Sequence, residues 1–215
     1  MKMIALIDYG SGNIHSAARA LRVAANNAKK TREIRVTSDP DALTTADRIV
    51  LPGVGHFAEC MANLKARNGL IEALEENVIK AGKPFLGICV GMQLMADIGL
   101  EDGETAGLGW IGGKVAKITP GGDLPVPHMG WNDITASGAQ AHPLLDGLNA
   151  DPHMYFVHSY AFSTDNPAHM VAATNYGAPL TAAVARDNLF GTQFHPEKSQ
   201  QAGLQLLSNF VTWTP

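Results

Sequence analysis

Two short stretches of the chain hold residue types that do chemistry. In Gly87-Ile88-Cys89-Val90-Gly91 a cysteine stands two residues from a glycine on either side, and in His195-Pro196-Glu197 an imidazole and a carboxylate flank a proline. The first has the form of the nucleophile elbow Gly-x-Ser-x-Gly, with a thiol in place of the hydroxyl. There a strained strand-to-helix turn lifts the nucleophile above a sheet, and small flanking residues let the turn close. A thiol at a helix N-terminus meets unpaired N–H groups and the positive end of the dipole, which favours thiolate. The same groups can receive an oxyanion, the Val90 N–H being the natural donor. A buried structural thiol is the plainer alternative for this pentapeptide.

A thiol nucleophile needs a base, and the base needs an orienter. Pro196 fixes its own φ and pushes His195 into extended geometry. Residues two apart on an extended chain point to one side, so the Glu197 carboxylate can hold the His195 ring in the right tautomer. Read alone, the tripeptide is equally an incidental surface loop; beside the elbow it completes a Cys-His-Glu set. No second His/Cys pair stands at ligand spacing, so no metal is expected. A third segment, Pro52-Gly53-Val54-Gly55, follows an apolar run, and its glycines let backbone amides approach a ligand closely. A main-chain donor from Gly53 or Val54 would complete an oxyanion hole with Val90; an ordinary strand-to-helix turn is the alternative. Two other motifs lead nowhere. Gly10-x-Gly12 is followed by His15 where a dinucleotide fingerprint needs Gly or Ala, and no Gly-Lys-Ser/Thr occurs, so no nucleotide cofactor is expected. Cys60, in FAECMANL, reads as packing.

The elements that must position these residues follow from apolar periodicity. MIALIDYG, EIRVT, DRIVLPG and KPFLGI read as buried strands, the third stopped by Pro52-Gly53. Between them, Ala17, Leu21 and Ala24, with Ala25 beside them, mark one helical face, and Leu70, Ile71, Leu74 and Val78 another, ended by Gly82. VGMQLMADIG reads as a helix ending near Gly99. This alternation predicts an α/β fold, an open, mostly parallel sheet with helices on both faces. In such sheets ligands bind beyond the carboxyl ends of the strands, where Cys89 and Pro52–Gly55 both fall. The second half changes to short strand-like runs, WIGGKVAKIT, HMGWNDIT, MYFVHSYAF, HMVAATNY, LTAAVARD and LFGTQFH, which predict appended antiparallel strands. RDN reads as a hairpin turn, and QQAGLQLLSNFVTW as a closing amphipathic helix.

Bulk properties bound the class. The chain has 215 residues, 46% hydrophobic and 17% charged, enough to bury a full core, and no repeat or linker divides it. One domain over residues 1–215 is expected. The net charge of −4 gives no electrostatic footing for a nucleic acid or an anionic membrane. MKMIALIDYGSG is too short an apolar run for a signal peptide, and no run approaches the ~18 residues of a membrane span. Two cysteines do not make a secreted disulfide scaffold, so a cytoplasmic protein with free thiols is expected.

LPGVG, GICVGMQ and QFHPEKS, in this order, resemble the class I (triad) glutamine amidotransferase family over nearly the whole chain. The flanking IDYGSGNIHS, HMGWN and YFVHSY look like the members of that family that serve as glutaminase subunits in histidine biosynthesis. The resemblance implies Cys89 as nucleophile, His195 as general acid/base and Glu197 as its orienter. It further implies that Gly53, Val54, Gly55 and Gln93 line a glutamine site together with the main chain of His158, Ser159 and Tyr160. By resemblance, Met129, Trp131, Asn132 and Lys198 are partner contacts, the partner being a (β/α)₈-barrel cyclase subunit that takes up the ammonia. Imidazole glycerol phosphate and aminoimidazole carboxamide ribotide would be its products. Two other readings stand beside this one, a stand-alone thiol hydrolase of similar fold and a silent binding subunit that kept the fold.

Overall fold

The computed structural model of the chain describes residues 2–137, 142–150 and 152–215. Its strands are β1 (Met3–Ile7), β2 (Glu33–Thr37), β3 (Arg48–Gly53), β4 (Phe85–Cys89), β5 (Ile98–Gly99), β6 (Thr105–Ala106) and β7 (Gly113–Lys117) in the first half. The second half adds β8 (His128–Asp133), β9 (Thr135–Ala136), β10 (His153–His158), β11 (Tyr160–Thr164), β12 (Met170–Asn175), β13 (Pro179–Arg186) and β14 (Leu189–Thr192). The α-helices are α1 (Ile14–Asn27), α2 (Pro40–Thr45), α3 (Phe57–Lys65), α4 (Leu70–Leu74), α5 (Val90–Gln93) and α6 (Gln200–Thr212).

The main sheet runs β2-β1-β3-β4-β14-β13-β12-β9. From β2 to β14 all neighbours are parallel, and from β14 to β9 they are antiparallel. β1, β3 and β4 are buried along their whole length, as strands covered on both faces must be, which is why they read as unbroken apolar runs. Edge strand β2 buries only Ile34 fully. On one side α1 turns Ala17, Ala20, Leu21 and Ala24 inward, and its small residues let α6 come close, with Ser208 Oγ donating to Ala24 O at 3.3 Å. Arg48, buried at the start of β3, donates from Nε to Phe210 O and from Nη2 to Trp213 O, closing the carbonyl end of α6. Separately, β8 and β10 form a two-stranded ribbon, and β11-β7-β5-β6 a small sheet.

The register fixes the site. Gly53 pairs with Cys89, and Thr192 with Ile88, so Gly53, Cys89 and Gln193 come side by side at the carboxyl edge. The hairpin β13–β14 turns through Asp187 and Asn188, with Asp187 at φ 51°, as the RDN reading predicts.

Four local expectations change. Strand β3 continues through Pro52 and Gly53 instead of stopping there. The helix expected to end near Gly99 is one turn long, Val90–Gln93. The carbonyls of Leu94, Met95, Ala96 and Asp97 receive the backbone N–H groups of residues 107–111, so cross-chain bonds replace helical ones. The run Leu70–Val78 is helical but passes into a π-helix over Glu75–Lys80. MYFVHSYAF is two strands in different sheets, broken at Ser159, because β10 pairs with β8 and β11 with β7.

Candidate active site

Cys89 ends β4 at φ 54° and ψ −113°, a conformation that costs a non-glycine residue on the order of 1–3 kcal/mol and persists where the surroundings over-determine it. The surroundings are backbone. A Cβ on Gly91 would collide with Leu51 O, and one on Gly87 would lie 2.6 Å from Gly91 O. A Cβ on Gly53 would lie 2.6 Å from Gly91 N and 2.8 Å from the Tyr9 hydroxyl. Three glycines thus let β3, β4 and the turn of α5 close on one another, and the thiol at their centre is 4% exposed. A four-residue helix supplies little macrodipole, so a positive charge beside the sulfur must come from a neighbouring side chain.

That side chain is His195. Its backbone is extended, at φ −98° and ψ 96°, and is pinned by His195 N donating to Tyr155 O at 2.9 Å and by Ser199 Oγ donating to His195 O at 2.6 Å. Proline begins a 3-10 turn at Pro196–Lys198, which brings Glu197 back beneath the ring, Nδ1 to Oε1 at 2.8 Å. Both side chains are 2% exposed. Burial opposes a charge on His195, but the Cys89 sulfur and the Glu197 carboxylate outweigh it and raise the imidazole to about 10. His195 Nε2 is buried without a hydrogen-bond partner among the described residues, as is Glu197 Oε2. Nδ1 is committed to Glu197, which leaves Nε2 for a proton shared with the thiol or a bound substrate.

Cys89 and His195 line one cavity of about 300 Å³, room for a ligand of amino-acid size. Of the residues expected around it, Val54, Gly55, Val90, Gln93, His158, Ser159 and Tyr160 are in its wall. Gly53 is not; it lies behind, against Gly91 and Tyr9. Gly55 has φ +96°, which favours glycine, and nothing lies within 4 Å of where a Cβ would stand. Glu101, Pro127 and Val157 complete the wall and were not anticipated. Glu101 lies in a loop far from any motif; its Oε2 accepts from Phe57 N at 2.8 Å, so it caps α3 while presenting a carboxylate at the cavity. Gln193, also missed, was legible only as the residue two before His195; its Nε2 lies 3.8 Å from Cys89 Sγ.

Of the residues expected at a partner surface, Met129, Trp131 and Lys198 share one side of the ribbon, whereas Asn132 is on the opposite face of β8, its Nδ2 turned to His128 Nε2 and Asn175 O. Met129 is 62% and Trp131 47% exposed, and exposed Lys198 lies over the Tyr155 ring at 5.6 Å, with Trp131 edge-on to the same ring. Asn132 is half-buried. Cys60 is buried and free, its thiol donating to Val54 O at 3.4 Å. Among the described residues no helix is long and apolar enough to cross a membrane, and no group of three His, Cys, Asp or Glu could hold a metal.

Known proteins resemble this chain over its full length. The sequence is 54% identical to a protein of Rhodospirillum rubrum named imidazole glycerol phosphate synthase subunit HisH, over 99% of both chains. It is 52% identical to the subunit of the same name from Ruegeria pomeroyi, over 99% of this chain and all of that one. A solved glutamine amidotransferase superposes with a TM-score of 0.71 at 16% identity, over 97% of this chain and 99% of that one. A glutamine amidotransferase of Thermotoga maritima gives 0.59 at 18% identity, over 91% and 76%. A sequence model of glutamine amidotransferase class-I matches residues 5–213, and with the full-length relatives this shows that the chain belongs to the class-I glutamine amidotransferase family.

Proposed function

We propose that this protein is the glutaminase subunit of an imidazole glycerol phosphate synthase, and that it releases ammonia from glutamine through Cys89, His195 and Glu197. The observation that carries the chemistry is the strained, buried Cys89 sharing one cavity with an imidazole whose other nitrogen is held by a buried carboxylate. The near-full-length likeness to subunits of that name supports the substrate and the pathway.

In this reading the Cys89 thiolate attacks the side-chain amide carbon of glutamine. The Val90 N–H, with a main-chain donor from Val54, holds the oxyanion, Gly53 lying behind the cavity wall; losing one such donor typically costs on the order of 10²–10³ in rate. His195, kept cationic by Glu197 and the thiolate, gives its Nε2 proton to the departing nitrogen, and a γ-glutamyl thioester with ammonia results. His195, now neutral, takes a proton from water, the hydroxide attacks the thioester, and glutamate leaves as the thiolate re-forms. Gln93 and the main chain of His158, Ser159 and Tyr160 hold the substrate, and the Glu101 carboxylate offers a partner for its ammonium group.

Free ammonia needs an acceptor. A (β/α)₈-barrel cyclase subunit that covers Met129, Trp131, Asn132 and Lys198 would receive it and make imidazole glycerol phosphate and aminoimidazole carboxamide ribotide. Of the Pro52–Gly55 stretch, Pro52 and Gly53 are held in β3, so the peptide through which such a partner would switch an oxyanion donor is that between Val54 and Gly55. The buried free thiols fit a compartment that keeps cysteines reduced, the cytoplasm. The test is glutamate release by the purified chain, alone and with the cyclase subunit and its nucleotide, with Cys89→Ala as blank. Low turnover alone that rises sharply in the complex and vanishes in the blank is expected. High turnover indifferent to the partner would overturn the assignment to a synthase.

A further inference from the structure

Two buried histidines outside the triad, His128 and His158, are not used by the chemistry above, and both are fully committed to hydrogen bonds. His158 Nδ1 lies 2.9 Å from Tyr160 O. A carbonyl only accepts, so Nδ1 carries the hydrogen. In the neutral ring Nε2 is then an acceptor, and it faces His128 Nδ1 at 2.9 Å. His128 Nδ1 must therefore be the donor, which makes His128 Nε2 an acceptor, and Asn132 Nδ2 lies 3.2 Å away. The Asn132 amide is oriented independently: its Oδ1 accepts from Asp133 N at 2.9 Å and its Nδ2 donates to Asn175 O at 2.9 Å. Every proton from Asn132 to Tyr160 is assigned, and only when both rings are neutral. Burial lowers both imidazoles to about 4, in keeping with this. The His128 ring is also clamped, stacked on Phe156 at 4.7 Å and on Tyr176 at 4.1 Å between centroids.

The run continues on the far side of Tyr160 O. That carbonyl accepts a second bond from Gln93 Nε2 at 3.0 Å, and Gln93 Nε2 also donates to Gln193 Oε1 at 3.0 Å. Both amide hydrogens of Gln93 are thus spent, and its remaining polar atom at the cavity is Oε1, an acceptor. Gln193 Nε2 in turn points its donor at Cys89 Sγ, 3.8 Å away. Because donors converge on Tyr160 O from both sides, the run cannot conduct a proton; it can only transmit position.

We infer that Asn132, His128, His158, the Tyr160 carbonyl, Gln93 and Gln193 form one positioning network that ties the exposed strand β8 to the cavity. It presents Gln93 Oε1 as an acceptor toward the amino or amide N–H groups of the ligand and steadies the Cys89 sulfur. The inference rests on reading that cavity as the glutamine site. It makes His128 and His158 positioning residues for binding, reached through Tyr160 O, and Asn132 the end of the network on β8, on the face opposite exposed Met129 and Trp131.

The first test needs no substrate. On the ¹⁵N-labelled full chain at neutral pH, the network requires both His128 and His158 to carry their hydrogen on Nδ1, opposite to the preference of a free histidine side chain. A hydrogen on Nε2 of either ring would overturn the inference. The second test uses the glutamine analogue 6-diazo-5-oxo-L-norleucine to alkylate Cys89. His128→Phe keeps a flat ring between Phe156 and Tyr176 but removes both hydrogen bonds. It is expected to raise the half-saturating concentration about 5–10-fold, the size of one lost hydrogen bond. His158→Ala should do the same, and His158→Asn, whose amide nitrogen sits near the Nδ1 position, should restore most of that loss. An unchanged half-saturation in His128→Phe, or no rescue by His158→Asn, would overturn it. Should no form of the chain be alkylated, the glutamine reading fails while the tautomers still decide the network.

Discussion

Replacing Glu197 by glutamine keeps the size of the side chain and removes its charge, so it isolates what the carboxylate does for His195. The pair is 2.8 Å apart and 2% exposed, too buried for solvent to screen it. A charge-assisted hydrogen bond contributes roughly 1.5–3 kcal/mol and a neutral one about 1, so the substitution should cost the imidazolium about 0.5–2 kcal/mol directly. The introduced amide can also present its N–H₂ to Nδ1 and so favour the wrong tautomer, which removes the base altogether in that population. Together these predict a fall of at least ~10² in the turnover number for glutamine, where 1.36 kcal/mol is tenfold. The half-saturating glutamine concentration should hardly move, because Glu197 does not line the cavity. The sign in pH follows from the raised imidazole. Its stabilising charge is fully present below the unfolded value of about 6.5 and is lost as pH rises through about 10. Glu197→Gln should therefore lower the His195 titration by NMR and remove part of the alkaline loss of stability seen in denaturant melts, the Cys89 sulfur accounting for the rest. Turnover within about threefold of the parent, or a His195 titration that stays near 10, would refute the reasoning.

Three more outcomes follow from the same geometry. Gly91→Ala should abolish thioester formation or prevent folding, since its methyl would meet the Leu51 carbonyl, part of the backbone of β3; crystallography or alkylation of Cys89 checks it. Arg48→Met should lower stability by about 1–3 kcal/mol in a urea melt, because the carbonyls of Phe210 and Trp213 lose their buried donor, while Cys89 alkylation in the folded fraction stays as it was. His128, His142 and His158 are each lowered to about 4 by burial, so the unfolded chain takes up protons first as pH falls below about 6.5. Stability should decline from there toward pH 4 and level off below it, and urea midpoints that stay flat between about pH 7 and 4.5 would contradict the buried, neutral rings.

Local rules reached some parts of the molecule and stopped short of others for identifiable reasons. β1, β3 and β4 were legible because a strand covered on both faces must be apolar throughout, and the pattern needs no partner to be recognised. The one-turn helix after Cys89 was not. VGMQLMAD has good helical propensity, and only the arrival of residues 107–111, which take the carbonyls of 94–97, ends it early. Likewise Ser159 carries no strand-breaking signal, and the break there exists because β8 and β7, far apart in sequence, each claim one half of the run. Gly53 was expected in the cavity wall because the family resemblance of LPGVG implies it there with Val54 and Gly55. The register with Cys89 instead turns its α-carbon toward Gly91, so its small size serves the packing of the elbow.

The proposed nucleophile, base and orienter, Cys89, His195 and Glu197, are written in the chain itself, since a glycine-flanked cysteine and a His-Pro-Glu are constrained within a few bonds by steric rules that act locally. So is the parallel core that carries them. What surrounds them is settled by folding alone. Glu101 and Pro127 reach the cavity from loops. Gln193 reaches Cys89 through strand register, and His128 and His158 form one network although 30 residues separate them. The physical reason is that a hydrogen bond between distant residues leaves no periodic trace in the chain: a polar side chain reads as surface until the fold removes its water and supplies the partner.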